Sequence, residues 1–338
     1  MNAHLDMAPA PVPEGPLVVI GETLIDVVPA DGGDGDGRGG VRELPGGSPA
    51  NVAVTLGRLG RGPVLVTTLA DDERGAAAWD WLEASDVRVV AQPPATGRTS
   101  TAAVRLAADG SATYDFDLTW DLVPETVARA TAGARPAVVH AGSIATVLDP
   151  GADAVEQALR AAHGRALVTF DPNARPGITP DVARVLPRVE RLVALSDVVK
   201  VSEEDLAWYH PGTDPVATAR AWAAAGPVLV VVTRGGDGSV LVRGDDVVTV
   251  PGVTVEVADT IGAGDTFMGA LLDALVTLGA HGPGAREVLA VLSAAELRRA
   301  ASWAAAAAAI TVSRPGADPP THAELEAVAQ APAPGPDY

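Results

Sequence analysis

Along this chain, short runs of apolar and β-branched residues alternate with longer stretches in which apolar side chains recur every three or four positions. The short runs, at 17–21, 64–69, 137–141, 166–171, 197–201 and 228–233, predict strands. The periodic stretches, at 49–59, 74–85, 152–162, 181–195, 215–225, 264–278 and 296–311, predict helices. Several strand runs are apolar at every position, as strands buried on both faces of a parallel sheet require. Strand–helix alternation of this kind belongs to the doubly wound α/β class. One region breaks the rhythm. Residues 99–117 alternate apolar and polar in the manner of strands, with Asp109-Gly110 as a hairpin turn. Together with 22–29 and 41–44 they predict a small β element apart from the main sheet, either a lid over a site or an edge hairpin.

Composition narrows the chemistry. The chain has 338 residues, 47% of them hydrophobic, and no cysteine. Thiolate metal sites, disulfides and cysteine nucleophiles are therefore excluded. No apolar run reaches the roughly 18 residues that span a bilayer. The first fifteen residues lack a basic start followed by an apolar core, so they read as a tail rather than a signal peptide. A cytoplasmic location is expected. The formal net charge is −19, and Lys200 is the only lysine. Such a balance argues against nucleic acid and anionic membranes as partners. An anionic ligand would need local positive potential from helix N-termini, a bound cation or a few arginines.

The candidate chemistry centres on Asp259-Thr-Ile-Gly-Ala-Gly-Asp-Thr-Phe-Met-Gly-Ala-Leu-Leu272. Gly262, Ala263 and Gly264 lead straight into a helix whose apolar positions Phe267, Leu271, Leu275 and Leu278 form one stripe. Free N–H groups and the positive dipole end favour an anion there. Asp265 at that point is electrostatically odd unless it accepts a proton from a hydroxyl that attacks a phosphate. The alternative is a helix cap in an ordinary glycine turn.

Other pieces point the same way. Gly46-Gly-Ser-Pro-Ala-Asn51 pairs permissive backbone with a donor–acceptor side chain, which suits a polyhydroxylated ligand or a plain helix entry. Asp26, read as ending the first strand segment, can accept two sugar hydroxyls or cap a turn. Asp171-Pro-Asn-Ala-Arg175 follows a strand, so Asn173 and Arg175 are candidates for phosphate or substrate. Lys200-Val-Ser-Glu-Glu-Asp205 puts acids at a helix start, for ordering Mg²⁺ through water or for dipole compensation. Thr233-Arg-Gly-Gly-Asp-Gly238 joins two strands and is either a phosphate approach or a tight hairpin. Gly35-Asp-Gly-Arg-Gly-Gly40 satisfies the dinucleotide pattern literally but leads to no helix. There is no P-loop motif. Residues 31–36 lack the acid spacing of a calcium loop. His140, at a strand end, is either a site residue or a satisfied sheet-end histidine.

In this order the pieces resemble the PfkB family of carbohydrate kinases, over about 16–320. The resemblance implies a ribokinase-like fold, a three-layer α/β/α sandwich with a mostly parallel sheet and a small β lid. It implies a kinase domain over 16–327, with lid segments at about 22–45 and 97–119, between disordered tails at 1–15 and 328–338. It further implies ATP, Mg²⁺ and a small sugar as ligands. Asp265 would be the catalytic base and Gly262, Ala263 and Gly264 the anion hole. Asp26, Gly46, Gly47, Asn51 and Arg175 would bind the sugar, and Lys200, Thr233, Gly235 and Gly238 the nucleotide. Asp259, the Ile261 carbonyl and Gly316 match a K⁺ site. Asp205 is the Mg²⁺ candidate, although Ser202 and Asp205 replace the family's usual Asn and Glu. Gly21-Glu22, Gly-Gly-Ser-Pro-Ala-Asn51 and Asp-Pro-Asn-Ala-Arg175 most resemble the fructokinases of the family. 2-Keto-3-deoxygluconate kinase and ribokinase are the alternatives, and a non-catalytic sugar or nucleotide sensor is the reading from a different class. A cationic side chain facing the acceptor pocket would favour the keto acid. An exposed lid sheet offers a surface for a homodimer.

Overall fold

The computed structural model describes residues 13–29, 40–106, 112–131 and 133–330. Of the expected tails at 1–15 and 328–338, residues 1–12 and 331–338 lie outside the described residues, as do the Asp109-Gly110 turn and the loop at 31–36, whereas 328–330 end a helix.

The strands in chain order are β1 (Leu17–Ile20), β2 (Leu24–Pro29), β3 (Val41–Gly46), β4 (Val64–Thr68), β5 (Arg88–Gln92), β6 (Thr101–Leu106) and β7 (Ala112–Asp117). There follow β8 (Val138–Gly142), β9 (Leu167–Asp171), β10 (Val198–Ser202), β11 (Leu229–Thr233), β12 (Ser239–Arg243) and β13 (Asp246–Val250). The helices are α1 (Ser48–Arg58), α2 (Glu73–Glu83), α3 (Pro124–Thr131), α4 (Gly151–Ala162), α5 (Val182–Leu195) and α6 (Glu203–Tyr209). The later ones are α7 (Pro215–Ala225), α8 (Ala263–Thr277), α9 (Ala285–Val291), α10 (Ala294–Val312) and α11 (His322–Gln330).

Nine strands form the main sheet in the order β13-β12-β11-β10-β9-β8-β1-β4-β5. It is parallel from β11 through β5, and β12 and β13 add antiparallel strands at one edge. Alternation along the buried strands serves two cores. Leu17, Val19, Leu65 and Leu167 face α1, α8 and α10, whereas Val18, Ile20, Val66 and Val168 face α4, α5 and α7. This is the three-layer α/β/α arrangement expected from the sequence.

Four strands, in the order β3-β2-β6-β7, form a separate small sheet. Here the structure corrects one expectation. Asp26 does not end a strand of the main sheet. The main strand stops at Ile20, and Asp26 lies inside β2, opposite Leu44 of β3. The chain changes sheets at Gly21, where a side chain would collide with Pro49 at the start of α1. The start of α1 packs closely against the point where the chain leaves the main sheet.

Helix α8 is not the one-striped amphipathic helix that Phe267, Leu271, Leu275 and Leu278 suggest. Every residue from Asp265 to Val276 is buried. A helix apolar on all sides belongs inside a molecule, and this one lies among the sheet, α1 and α10. Gly269 lets α1 approach, since a Cβ there would stand 2.6 Å from the Thr55 Cβ.

Candidate active site

Two helices begin at the same place. α1 starts after Gly47 (φ 106°) and α8 after Gly262 (φ 75°), both in the left-handed region that favours glycine. A side chain at Gly47 would press on the Glu22 carbonyl oxygen at 2.6 Å, and one at Gly262 on the Ala317 methyl at 2.6 Å. Neither helix start carries a side-chain cap. Their N–H groups and dipole ends therefore converge as an electropositive corner.

Asp265 stands in the first turn of α8 and turns its carboxylate toward α1. Ser48 Oγ donates to its Oδ1 at 2.7 Å and Asn51 Nδ2 to its Oδ2 at 2.8 Å. Asn173 Nδ2 donates to Ser48 Oγ at 2.7 Å and lies 3.4 Å from Asp265 Oδ1. All of these hydrogen-bond donors are neutral. Asn51 Oδ1 is buried with no partner among the described residues. A buried carbonyl oxygen beside a carboxylate can accept from a ligand hydroxyl.

Asp26 reaches the same region from the small sheet. Gly46 leaves room for its carboxylate, which a Cβ there would overlap. Burial raises Asp26 to about 6, with the Arg175 charge opposing and the Asp265 charge adding. Glu22, just beyond β1, is pushed to about 7 by burial, although it accepts the Ala145 N–H at 3.2 Å. Arg175 is exposed and its charge acts on both carboxylates. Its own hydrogen bonds go to the Asn173 side chain and to the carbonyls of Asn173 and Ala174.

Lys200 is buried rather than open to a ligand groove. Its Nζ lies 2.9 Å from Asp171 Oδ2 and 3.0 Å from where a Cβ on Gly264 would stand. Burial opposes its charge, but the carboxylates of Asp171, Asp205 and Asp265 outweigh it and raise its pKa. Burial also lifts Asp171 to about 6, with Lys200 offsetting part of the rise. His140 lies wholly inside, its Nδ1 3.0 Å from Thr169 Oγ1, and is pushed down to about 3 by burial and by Lys200.

Thr233 ends β11 beside Ser202 of β10. Gly235 (φ 50°) faces open space, whereas Gly238 is pinned against the backbone of residues 250–252. The turn is thus a tight hairpin in which two glycines, Gly235 and Gly236, face open space. Asp205 closes a capping box with Ser202, accepting its N–H at 3.1 Å, and also accepts the Ala174 N–H at 2.9 Å. Asp259 draws two loops together, accepting N–H groups from Ile261 at 3.0 Å and Gly316 at 2.9 Å. Among the described residues, no group of three or more histidine or carboxylate side chains is placed to hold a metal ion.

Sequence reasoning passed over Ser48 as a site residue. It was legible, because Ser48 and Asn51 are spaced three apart and so share a helix face. A groove of about 810 Å³ between α3 and α4 touches none of these residues and opens toward the amino ends of β8 and β9.

Residues 16–324 match the pfkB family carbohydrate kinase pattern. The chain belongs to that family. It is a sugar phosphotransferase. A fructokinase from Rhizobium leguminosarum bv. trifolii is 36% identical over 262 residues, 77% of this chain and 79% of that one. The fructokinase of Xylella fastidiosa, solved with bound ATP, superposes with a TM-score of 0.82 at 25% identity, covering 93% of this chain and 98% of its own. A double mutant of the Vibrio cholerae O395 fructokinase, solved with fructose, ADP and a potassium ion, gives 0.74 at 26% identity and covers 93% and 97%. No single helix among the described residues is long and apolar enough to cross a membrane.

Proposed function

We propose that this kinase phosphorylates fructose with ATP, and that Asp265 is its general base. The observation that carries the assignment is Asp265 itself. It is a buried carboxylate held by neutral donors where two helix N-termini meet, with the unpartnered Asn51 Oδ1 beside it. The acceptor's exocyclic hydroxyl gives its proton to Asp265 as its oxygen bonds to the γ-phosphorus. The bond from that phosphorus to the β–γ bridging oxygen breaks, and ADP leaves with the electron pair. The N–H groups of Gly262, Ala263 and Gly264 take up charge on the transferring group. Asp26, Gly46, Gly47, Asn51 and Arg175 form the acceptor pocket. Thr233, Gly235 and Gly238 line the nucleotide side. Closure of the small sheet over the sugar excludes water.

Mg²⁺ would enter with ATP and screen phosphate charge, since this cation is held mostly by phosphates and water. The lone pairs that its two amide bonds leave on Asp205 can accept such a water. Asp259 gathers Ile261 and Gly316 at one point, and these are the residues that would hold K⁺. We place the enzyme in the cytoplasm, where ATP is made available. The small sheet is the surface proposed for pairing with a second copy.

Arg175 supports a second acceptor. Its charge toward Asp26 and Glu22 suits the carboxylate of 2-keto-3-deoxygluconate. The deciding experiment is ADP release against fructose, ribose and 2-keto-3-deoxygluconate, with and without K⁺. The highest kcat/KM is expected with fructose. A higher value with the keto acid transfers the assignment to that sugar, and binding without turnover on any of the three makes the protein a sensor.

A further inference from the structure

We propose that Arg175, Asn173 and Ser48 form a one-directional hydrogen-bond relay that orients the Asp265 carboxylate. The proposal rests on the kinase reading above and adds positioning residues to it. The direction of the relay follows from its first member. Arg175 Nη1 lies 2.6 Å from one terminal atom of the Asn173 side chain. A guanidinium only donates, so that atom must be the amide oxygen. This chemical necessity removes the usual ambiguity of an amide's orientation. The Asn173 nitrogen then faces Ser48 Oγ at 2.7 Å and can only donate to it. Ser48 has a single hydrogen, which is left to Asp265 Oδ1 at 2.7 Å. One exposed arginine thereby sets the polarity of three successive bonds.

The backbone holds the relay in place. Asn173 adopts φ 39°, a left-handed value that asparagine tolerates better than most residues. The next residue is fixed by its N–H to Asp205 Oδ1 at 2.9 Å, so the cap of α6 anchors the turn. On the other side Asn51 Nδ2 holds Oδ2 of Asp265 at 2.8 Å. Ser48 holds Oδ1, with the Asn173 nitrogen a longer 3.4 Å away, and Asn51 holds Oδ2, so the carboxylate is kept from rotating and its remaining lone pairs keep one aim. A misplacement of about 1 Å in such a group costs on the order of 100-fold in rate.

The test compares Ser48→Ala, Asn173→Leu, their double variant and Ser48→Thr, each with its melting temperature. In steady-state kinetics with fructose and ATP, each single truncation is expected to lower kcat about 10- to 100-fold, with the KM for ATP within about threefold. The double variant should fall no further than the worse single, because residues acting as one unit are not additive. Ser48→Thr, which keeps the hydroxyl, should recover most of the loss. Multiplying effects, a Ser48→Ala enzyme within twofold of the parent, or a threonine variant no better than alanine would each overturn the relay. Parent-like turnover by Asp265→Asn would instead overturn the kinase mechanism and leave nothing for a relay to position.

Discussion

Helix α8 carries two buried carboxylates that meet opposite requirements. Asp273 sits in its second half, bonded to Arg61 Nε at 2.6 Å and Trp303 Nε1 at 2.9 Å, with Arg61 reaching on to Thr277. Asp265 sits in the first turn and is bonded to Ser48 and Asn51, both neutral. Residue type, helix and burial are shared, so the partner's charge makes the difference. The Asp273 carboxylate neutralises a buried guanidinium. The Asp265 carboxylate has no charged hydrogen-bond partner. Asp273 fixes α8 to α10 and to the chain after α1, whereas the charge of Asp265 is not committed to a cationic partner, as its proposed role as base requires.

The comparison is broken most directly by removing each charge in turn. Asp265→Asn keeps the shape and deletes the proposed base, so kcat is expected to fall about 100- to 10,000-fold. Nucleotide affinity, read by calorimetry, should stay nearly unchanged, and so should the melting temperature. Asp273→Asn should do the reverse. It removes the carboxylate charge beside the buried Arg61, which keeps its bonds to the Asp273 carbonyl and to Thr277, so the expected cost in urea denaturation is about 1–3 kcal/mol, while the folded fraction retains its kcat. Adding Arg61→Met to Asp273→Asn should return much of that stability, since the asparagine oxygen can still accept from Trp303. If Asp273→Asn instead lowers kcat at unchanged stability, the division of labour along α8 is wrong.

The same contrast explains what the sequence disclosed. Six strands of the main sheet (β1, β4 and β8 to β11) and seven helices were legible to within two residues at each end, because apolar runs and helical spacing follow directly from two-sided burial, whereas the antiparallel β12 and β13 were not placed. β5, an edge strand partly exposed along Val89 to Gln92, offers no such run. α9, at seven residues, is too short for its period to repeat. Around the site, Asp265, Asn51 and the two glycine turns announced themselves through residue types that are costly without a purpose. Arg61 and Asp273 did not, because their pairing joins positions 212 residues apart. The placement of Asp26 failed for a similar reason. The packing of Pro49 on Gly21, where the chain leaves the main sheet, is a tertiary contact with no local signature.

Glu22 sharpens the comparison, being a third buried carboxylate without a cationic hydrogen-bond partner. Burial raises it from 4.5 to about 7. Its contribution is therefore fully present below pH 4.5 and is lost as pH rises through about 7. From this group alone, stability should decline between those values. Glu22→Gln keeps an oxygen for the Ala145 N–H and removes the charge. The variant should gain up to about 3 kcal/mol over the parent at pH 8 and nothing at pH 4. Denaturation curves at the two pH values measure the difference, and equal gains at both would mean that the ionised carboxylate carries no penalty.

The smallest effect belongs to the exposed counterpart of the Arg61–Asp273 pair. Arg74 of α2 joins Glu43 of β3 through two hydrogen bonds, with side chains 42% and 39% exposed. The geometry is the bidentate one that favours strength, and the bond draws Glu43 below its ordinary pKa, with Arg74 the chief cause. Water screens both charges, however, and either side chain can return to solvent when its partner is removed. Arg74→Ala should therefore cost less than about 1 kcal/mol, and the cost should shrink further in 0.5 M salt. A loss near that of Asp273→Asn would show that solvent reaches this pair far less than its exposure implies. The partner's charge alone would then no longer separate the carboxylates that hold this fold from the one that works in it.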